Sequence, residues 1–467
     1  MTQTSRRAAL TTAWVLFTLG AALMPASAQP VPPVALPDYV TTDDSGAIVL
    51  SPVEAARWAL ERNTDLQLQA TSIDEALGQL RQARALYSLS VRLDGTALLM
   101  GPVASFQLPG DEGQQPRSVE VGQDHVLNAT LSATQPLYAG GREDLVKRMA
   151  RTNVEVMRQT TEVTRLSIDL AARELAYGVL RAVQLAGVAA AQVTAIAEHV
   201  RQAEAMEAAG VAPHFDVVQA NTELARAQEQ LISAQTGVAQ LQSQLRRMLA
   251  LPQSTVLALV DPPPPESPDG ELTDLIEQAW AKRPEVVAAE TGVRVAEMNL
   301  KLSQCDLAPL VSLTGSWTQQ SAGGLGASDY SWQVGVVAQK PLFDGGAQRG
   351  KVEAAQAQLT AAQLRVEQAR EQTALAVVQQ FLAVEEARQK IDTAQQGVAE
   401  ARERRRMAQL RYREGLGTGI EVIDADTALA AAEASLVNAE YDLQLAVTRL
   451  RTATGVAELP PQEVETQ

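Results

Sequence analysis

Cysteine is almost absent from this chain of 467 residues, and aromatic side chains make up only 4% of it. Cys305 is the single cysteine, so an intramolecular disulfide is excluded and the fold must be held by packing. The 39 lysine and arginine residues are outnumbered by 55 acidic residues and form no extended basic cluster, which disfavours nucleic-acid binding. Few aromatics with abundant Ala and Gln are typical of long helices rather than of a compact enzyme.

The N-terminus has the pattern of an export signal. Arg6 and Arg7 precede an apolar run at 8–23, and small residues follow at 26–28. This order predicts a Sec-type signal peptide over 1–28 and therefore an exported protein.

No later stretch contains 18 consecutive apolar residues. The nearest is 182–197, which Gln184, Gln192 and Thr194 interrupt. An inner-membrane helix is therefore not expected, and the protein must either be soluble or enter a membrane by another route.

The chain repeats itself. Three pairs of segments match, the first two at an offset of 205 residues: 135–141 (QPLYAGG) with 340–346 (KPLFDGG), 209–224 with 414–429, and 56–66 with 277–287. An offset kept without insertion over more than a hundred residues indicates helices of fixed length, because one extra residue would rotate every later side chain by about 100°. The predicted organisation is an extended segment at 29–50, a first repeat at 51–250, an equatorial Pro-rich linker at 251–270, a second repeat at 271–455 and a tail at 456–467.

Each repeat contains two segments in which apolar and polar residues alternate. This period predicts four strands, at about 88–107, 123–135, 310–320 and 330–340. A half-buried sheet in a soluble domain is one interpretation, but the helices are too long to fold over so small a sheet. Apolar faces in contact with lipid are the other, and they require a closed barrel. Four strands cannot close, whereas three chains supply twelve, so oligomerisation is predicted.

The helical segments are unusually long. Neither 142–209 nor 345–414 contains proline, and apolar residues recur there at spacings of three and four. Such a helix extends for about 100 Å. The shorter helices predicted at 52–86 and 213–250 could stack end to end beside it. A coiled-coil filament is the simpler alternative, but it explains neither the strands nor the duplication.

A proline and two glycines mark each passage from strand to helix. The prolines are predicted to end the β-ladder by withholding an N–H, and the glycines to turn the chain into the helix. The residues of the two junctions are Pro136, Gly140, Gly141, Pro341, Gly345 and Gly346.

Together these features resemble the TolC family of outer-membrane efflux proteins, over about 50–457. The resemblance implies a mixed α and β membrane protein: a homotrimeric twelve-stranded outer-membrane barrel, four strands per chain, continued by an α-helical barrel through the periplasm of a Gram-negative bacterium. It implies passive export of cargo received from an inner-membrane transporter through a periplasmic adaptor protein, with no enzyme activity and no cofactor.

The resemblance also assigns the functional residues. The turns between long and short helices form the periplasmic tips and contact the adaptor, through Gly210, Val211, Gly415, Leu416, Gly417 and Thr418. The pore constriction is implied at Glu421 and Asp424, with Asp216 and Tyr412 as locking partners. The family carries a basic residue where this chain has Gly417, so the charged latch differs here.

An acidic gate also has a physical basis. In a threefold assembly Glu421 and Asp424 become rings of like charge, which attract cations. The alternative is that both are solvated residues near a helix N-terminus, where acids are favoured.

Other chemistry-bearing residues carry weaker signals. His125, His199 and His214 have no metal-ligand spacing, and Cys305 has no catalytic motif around it. The run 404–406 is either a solvated face or an adaptor contact. The main functional alternative is an exported structural coiled coil without a channel. The finer alternative is a duct dedicated to metal ions or polypeptides rather than to drugs.

Overall fold

The computed structural model describes residues 37, 41–42, 46–99, 101, 104–108, 117–121, 125–263, 270–322 and 329–456. The predicted signal peptide, the tail beyond 456 and parts of the 29–50 segment and the linker lie outside these residues. All elements below belong to the unit formed by residues 39–467.

Helices dominate the described residues. The helices are α1 Pro52–Arg62, α2 Thr64–Ala85, α3 Arg142–Ala208, α4 His214–Met248, α5 Leu272–Lys282, α6 Pro284–Gln304, α7 Ala347–Arg413 and α8 Gly419–Ala453. The strands are β1 Thr41–Thr42, β2 Ile48–Leu50, β3 Ser90–Leu99, β4 Ala104–Leu108, β5 Arg117–Val121, β6 His125–Tyr138, β7 Leu257–Leu259, β8 Leu310–Ala322 and β9 Asp329–Gln339.

The helices repeat with matching lengths. α3 and α7 each have 67 residues, and α4 and α8 each have 35. α3 begins at Arg142 and α7 at Ala347, 205 residues later, and the same offset relates α4 to α8. Every position of the α3–α4 hairpin therefore has one counterpart in the α7–α8 hairpin.

The helix predicted at 52–86 is in fact two helices. The chain breaks at Asn63, whose φ of −64° and ψ of 128° are extended, and its side-chain oxygen accepts the N–H of Asp65 at 2.8 Å. Asn63 thus caps α2 as α1 ends. The second repeat breaks at Arg283, where Pro284 opens α6. A single-helix prediction failed because an Asn cap leaves little trace in the apolar pattern.

The short helices pack end to end along the long ones. α3 contacts α4 along one part of its length and α1 and α2 along another, and α7 contacts α8, α5 and α6 in the same way. An apolar cluster lies where α5, α7 and α8 meet and includes Leu275, Val377 and Val447. Among the described residues, α3 alone has a window long and apolar enough to cross a membrane by composition. It packs here against α4, α6 and α8.

A small sheet ties the N-terminal segment to the linker. β1, β2 and β7 form it, and β2 runs parallel to β7 with Ile48 beside Leu257. Farther along the linker, the hydroxyl of Tyr441 on α8 donates to the Asp261 carboxylate at 2.9 Å. These contacts hold the linker against the middle of the helical layer.

The main sheet has four antiparallel strands in the order β3-β6-β8-β9. Its register separates two faces. One face carries the rows Leu93–Leu131–Trp317–Trp332 and Val91–Ala133–Gly315–Val334. The other carries the rows Arg92–Ser132–Ser316–Gln333 and Asp94–Thr130–Thr318–Ser331. The alternation within each strand thus becomes one apolar and one polar surface.

None of the helices that the structure describes covers the apolar face. Leu93, Trp332 and Val334 are 70%, 71% and 68% exposed. β3 and β9 form the two edges, and neither has a strand partner on its outer side within the part of the chain that the structure describes. The sheet is therefore open at both edges and bare on its apolar side.

Two predicted details of the strands are wrong. The strand expected at 88–107 ends at Leu99, because β4 leaves the sheet and pairs with β5 in a separate hairpin. Pro136 does not end the ladder: it lies opposite Ser312, and β6 continues through a register shift to Tyr138. Proline is tolerated at such bulges. In the second repeat β9 ends at Gln339, before Pro341.

The glycine pairs turn the chain into α3 and α7. Gly140, Gly141, Gly345 and Gly346 all have positive φ, between 64° and 90°. Gly140 differs from the others in its surroundings, because a Cβ there would overlap the Cβ of Ala308, whereas nothing lies within 4 Å of a Cβ at Gly345. The first junction is thus packed against Ala308, in the connection between α6 and β8, and the second is open.

This difference gives a testable prediction. Gly345→Ala should lower the free energy of unfolding by about 1–2 kcal/mol, because its side chain is forced into the left-handed backbone region. Gly140→Ala should add about 1–3 kcal/mol of overpacking to that. Heat-dissociation midpoints of the purified variants, at one scan rate, measure the difference. Equal losses in the two variants would contradict the packed junction.

Candidate functional site at the helical tips

Both hairpins turn through the same hydrogen-bonded structure. Gly210 and Gly415 have φ of 73° and 72°, a conformation that glycine adopts without strain. In each turn the N–H after the glycine bonds back into the helix, from Val211 to the Met206 carbonyl at 2.9 Å and from Leu416 to the Arg411 carbonyl at 2.8 Å. These are Schellman closures. The Val211 and Leu416 side chains remain exposed.

A charged contact spans the second turn. Arg411 Nε lies 3.6 Å from Glu421 Oε2, and Arg411 Nη2 donates to the Leu416 carbonyl at 3.3 Å. A Cβ at Gly417 would lie 3.2 Å from both Arg411 Cβ and Glu421 Oε2, so a side chain there would crowd the contact. Arg411 therefore supplies a cation at this turn, where the family resemblance implied one at 417. Thr418 precedes α8 and makes no side-chain capping bond.

Asp216 and Tyr412 lie in the same small region, between the two hairpins. Tyr412 is 2% exposed and packs with Ala408, Val422 and Ala425. Burial and then the Asp216 charge raise the pKa of the Tyr412 phenol. Its hydroxyl has no hydrogen-bond partner among the described residues, so the two side chains are neighbours without forming a bonded latch.

His199 completes this region. Its ring centroid lies 5.1 Å from that of Tyr412, and a Cβ at Gly419 would lie 3.4 Å from His199 Nε2 and 3.7 Å from Asp216 Oδ2. The ring is buried, and neither nitrogen has a hydrogen-bond partner in the described part of the chain. His199 therefore sits where α3, α4, α7 and α8 meet.

Asp424 occupies a different environment from Glu421. It is exposed and lines an open groove together with Glu223 and Arg404. Glu421 is half-exposed and directed to Arg411. The two carboxylates are close in sequence, but only Glu421 has a cation within ion-pair distance among the described residues.

A buried carboxylate on α8 escaped the sequence analysis. Asp426 is 4% exposed, and Arg405 Nε lies 2.6 Å from its Oδ1. The approach lacks the angle of a hydrogen bond, so the contact is an ion pair without directed bonding. Burial raises the pKa of the Asp426 carboxyl, and Arg405 opposes that rise.

Comparison of the repeats could have revealed these residues. At the 205-residue offset Asp426 corresponds to Asn221, Arg405 to Val200, and His199 to Arg404. A charge present in one hairpin and missing from the other is a local signal of asymmetric function. The family motifs do not include these positions, so the resemblance did not point to them.

Comparison with known proteins decides the family. A sequence model of the family described as outer membrane efflux protein matches residues 56–251 and 275–456. The chain belongs to the outer membrane efflux protein family. The match covers both hairpins and all four strands of the main sheet.

Known members of the family are distant in sequence. Protein CyaE of Bordetella pertussis is 26% identical over 285 residues, 59% of this chain and 60% of that protein. Outer membrane efflux protein BepC of Brucella suis is 26% identical over 275 residues, 58% of this chain and 59% of that protein. The alignments thus span about three-fifths of the length of these curated relatives.

The fold extends over more of the chain. The outer membrane protein VceC of Vibrio cholerae matches with a TM-score of 0.69 at 19% identity, over 86% of this chain and 95% of that one. As a member of this family, the chain is an outer-membrane protein. The TolC-like fold predicted from the sequence is confirmed.

Proposed function

We propose that three copies of this chain form a passive exit duct across the outer membrane, which accepts cargo from an inner-membrane transporter through a periplasmic adaptor. The observation that carries the proposal is the open four-stranded sheet. Its apolar face is bare and both edges are free among the described residues. In lipid every backbone N–H and C=O must be paired, so such a sheet requires further strands.

The strand directions suit closure by identical copies. Because the four strands alternate, edge strands β3 and β9 run in opposite directions. β9 of one copy can therefore pair antiparallel with β3 of the next. Three copies give twelve strands, with the apolar rows toward lipid and the polar rows toward a lumen.

The helices supply the rest of the duct. α3 and α7, at 67 residues each, extend for about 100 Å from the sheet. Six tip turns per trimer then lie at the far end, where the exposed Val211 and Leu416 are available to an adaptor. The name of BepC describes an efflux protein, in keeping with this role. A structural coiled coil would have no use for the exposed sheet.

Cargo selection is assigned to the upstream transporter. Among the described residues no group of three or more His, Cys, Asp or Glu side chains is placed to hold a metal ion. We propose that the duct leaves the choice among drugs, metal ions and polypeptides to that transporter.

The oligomeric state and conductance test the proposal together. Native mass spectrometry of the detergent-extracted protein should give a trimer, and planar bilayers should show discrete conductance steps. A monomer, or a trimer that never conducts after its tips are removed, would contradict the duct.

The gate carboxylates give a second prediction. Glu421→Ala with Asp424→Ala should lower cation preference several-fold and weaken block by multivalent cations, because two rings of negative charge are lost. Arg411→Ala should raise cation preference, since it leaves Glu421 uncompensated. Reversal potentials in a salt gradient measure both effects.

The matched control for this prediction removes the same charge elsewhere. Glu367 and Glu371 are exposed on α7, far from the turn, and their replacement by Ala should leave selectivity closer to that of the wild type. Equal effects of the two double variants would show that Glu421 and Asp424 do not line the narrowest part.

A further inference from the structure

His199 is a titratable side chain enclosed at the junction of the two hairpins. It is 3% exposed. Tyr412 from α7 contacts one side of the ring, Gly419 opens the first turn of α8 next to Nε2, and Asp216 from α4 lies near Gly419. A buried imidazole with two unbonded nitrogens is costly to ionise.

The charges around the ring are few. Burial lowers the pKa of His199, and the Asp216 carboxylate partly opposes that change. From α7 the ring faces the neutral phenol of Tyr412, whose pKa is raised, and from α8 it faces Gly419, which carries no charge. The tip therefore packs around a neutral His199 ring. Asp216 is the acidic group that would partly balance the positive charge of the protonated ring.

We propose that His199 is a proton sensor that ties closure of the helical tips to pH: neutral His199 holds the α3–α4 and α7–α8 hairpins together, and its protonation loosens them. The proposal rests on the proposed function of the tips as a gate.

The direction follows from the lowered pKa. In an opened tip the His199 ring is solvated, and its pKa is the ordinary value of about 6.5. In the closed tip the pKa of His199 is lower, so the closed tip binds the proton less tightly. Packing by neutral His199 is fully present above that pH and is lost as the pH falls toward the lower pKa of the closed state. Acidification therefore favours opening, by up to about tenfold per chain at one unit below 6.5.

The repeat comparison supports a role confined to one hairpin. The counterpart of His199 is Arg404, which lines an open groove instead of a buried contact. The remaining tip histidine, His214, is exposed and lies 2.8 Å from Glu207 across the first turn. Of these two tip histidines, His199 is the one enclosed in the contact between the hairpins.

Hydrogen exchange of the purified full-length protein tests the sensor without depending on conduction. Exchange of the tip segments 199–216 and 408–425 is compared at about pH 7.5 and about pH 5.5, on either side of 6.5, after correction for intrinsic rates. The wild type should exchange faster at the acidic pH, by up to about tenfold. His199→Gln should show no such increase, and His214→Gln should respond as the wild type does.

A second variant keeps the test decisive if His199→Gln does not fold. Asp216→Asn removes the carboxylate that favours the protonated ring, so its response should move to lower pH. A wild-type pH response in His199→Gln, or an unshifted one in Asp216→Asn, overturns the sensor and leaves the duct intact. A trimer that does not conduct even after its tips are removed would overturn the duct, while the exchange result would still decide the sensor.

Discussion

Lysine in place of Val334 is expected to block most assembly of the chain in the outer membrane. Val334 is central in the eleven-residue strand β9 and lies on the apolar face, opposite Gly315. A lysine at the bilayer midplane on the lipid side of a barrel costs about 2–4 kcal/mol. A trimer carries three copies of the substitution, so each assembly incurs this free-energy cost three times.

The adjacent residue provides the control. Gln333 belongs to the polar row with Ser316, on the opposite face of the same strand. Gln333→Lys adds the same charge at the same depth and should assemble at close to the wild-type level, because it faces the lumen. The measurement is the fraction of heat-resistant trimer in washed outer membranes. Similar losses for both variants would show that the apolar face does not meet lipid.

The faces of the sheet could be predicted from sequence, but the pairing could not. The alternation along the chain places Val91 and Leu93 on one face of their strand and Arg92 on the other. It could not show that Leu93, Trp317 and Trp332 align in one row, because register depends on contacts between strands far apart in the chain. The family resemblance supplied the architecture and left these contacts open.

The details that failed were local choices with competing solutions. Pro136 can end a ladder or occupy a bulge, and only its alignment with Ser312 shows which occurs. Asn63 can lie within a helix or cap one, and the bond from Asp65 decides it. Both outcomes are set by neighbouring structure rather than by the residue's own preference.

The candidate site was predicted unevenly for a related reason. The tip glycines follow from a repeated motif and Tyr412 from the family resemblance, so their positions could be predicted. The contacts of His199 with Tyr412 and of Arg405 with Asp426 join side chains from different helices, and each side chain alone resembles a solvated helical residue. Only the tertiary packing makes His199 and Asp426 buried groups.

The ion pair between Arg405 and Asp426 carries the second large prediction. Arg405→Val should loosen the start of α8 by about 3 kcal/mol, because it leaves a buried carboxylate without its cation. This lies at the lower end of the range for such losses, since the Arg405 side chain is 34% exposed. Amide protection in the first turns of α8 should fall about hundredfold at neutral pH.

The first hairpin supplies the compensating change. Its counterpart residues are Val200 and Asn221, and Asn221 Nδ2 donates to the Val217 carbonyl at 3.0 Å. Arg405→Val with Asp426→Asn rebuilds that pair, so the double variant should recover most of the lost protection. If it is no better protected than Arg405→Val alone, the loss does not come from an uncompensated charge.

The pH dependence separates charge from packing. The pKa of Asp426 is already raised by burial, and removal of Arg405 takes away the group that opposes the rise. The folded α8 of Arg405→Val therefore favours protonated Asp426, and its deficit relative to the wild type should shrink as the pH falls and the carboxyl takes up its proton. A cavity left by the arginine stem would instead give a deficit that does not change with pH. Amide protection measured from neutral pH to about pH 4, near the ordinary aspartate pKa, therefore distinguishes an uncompensated charge from a cavity.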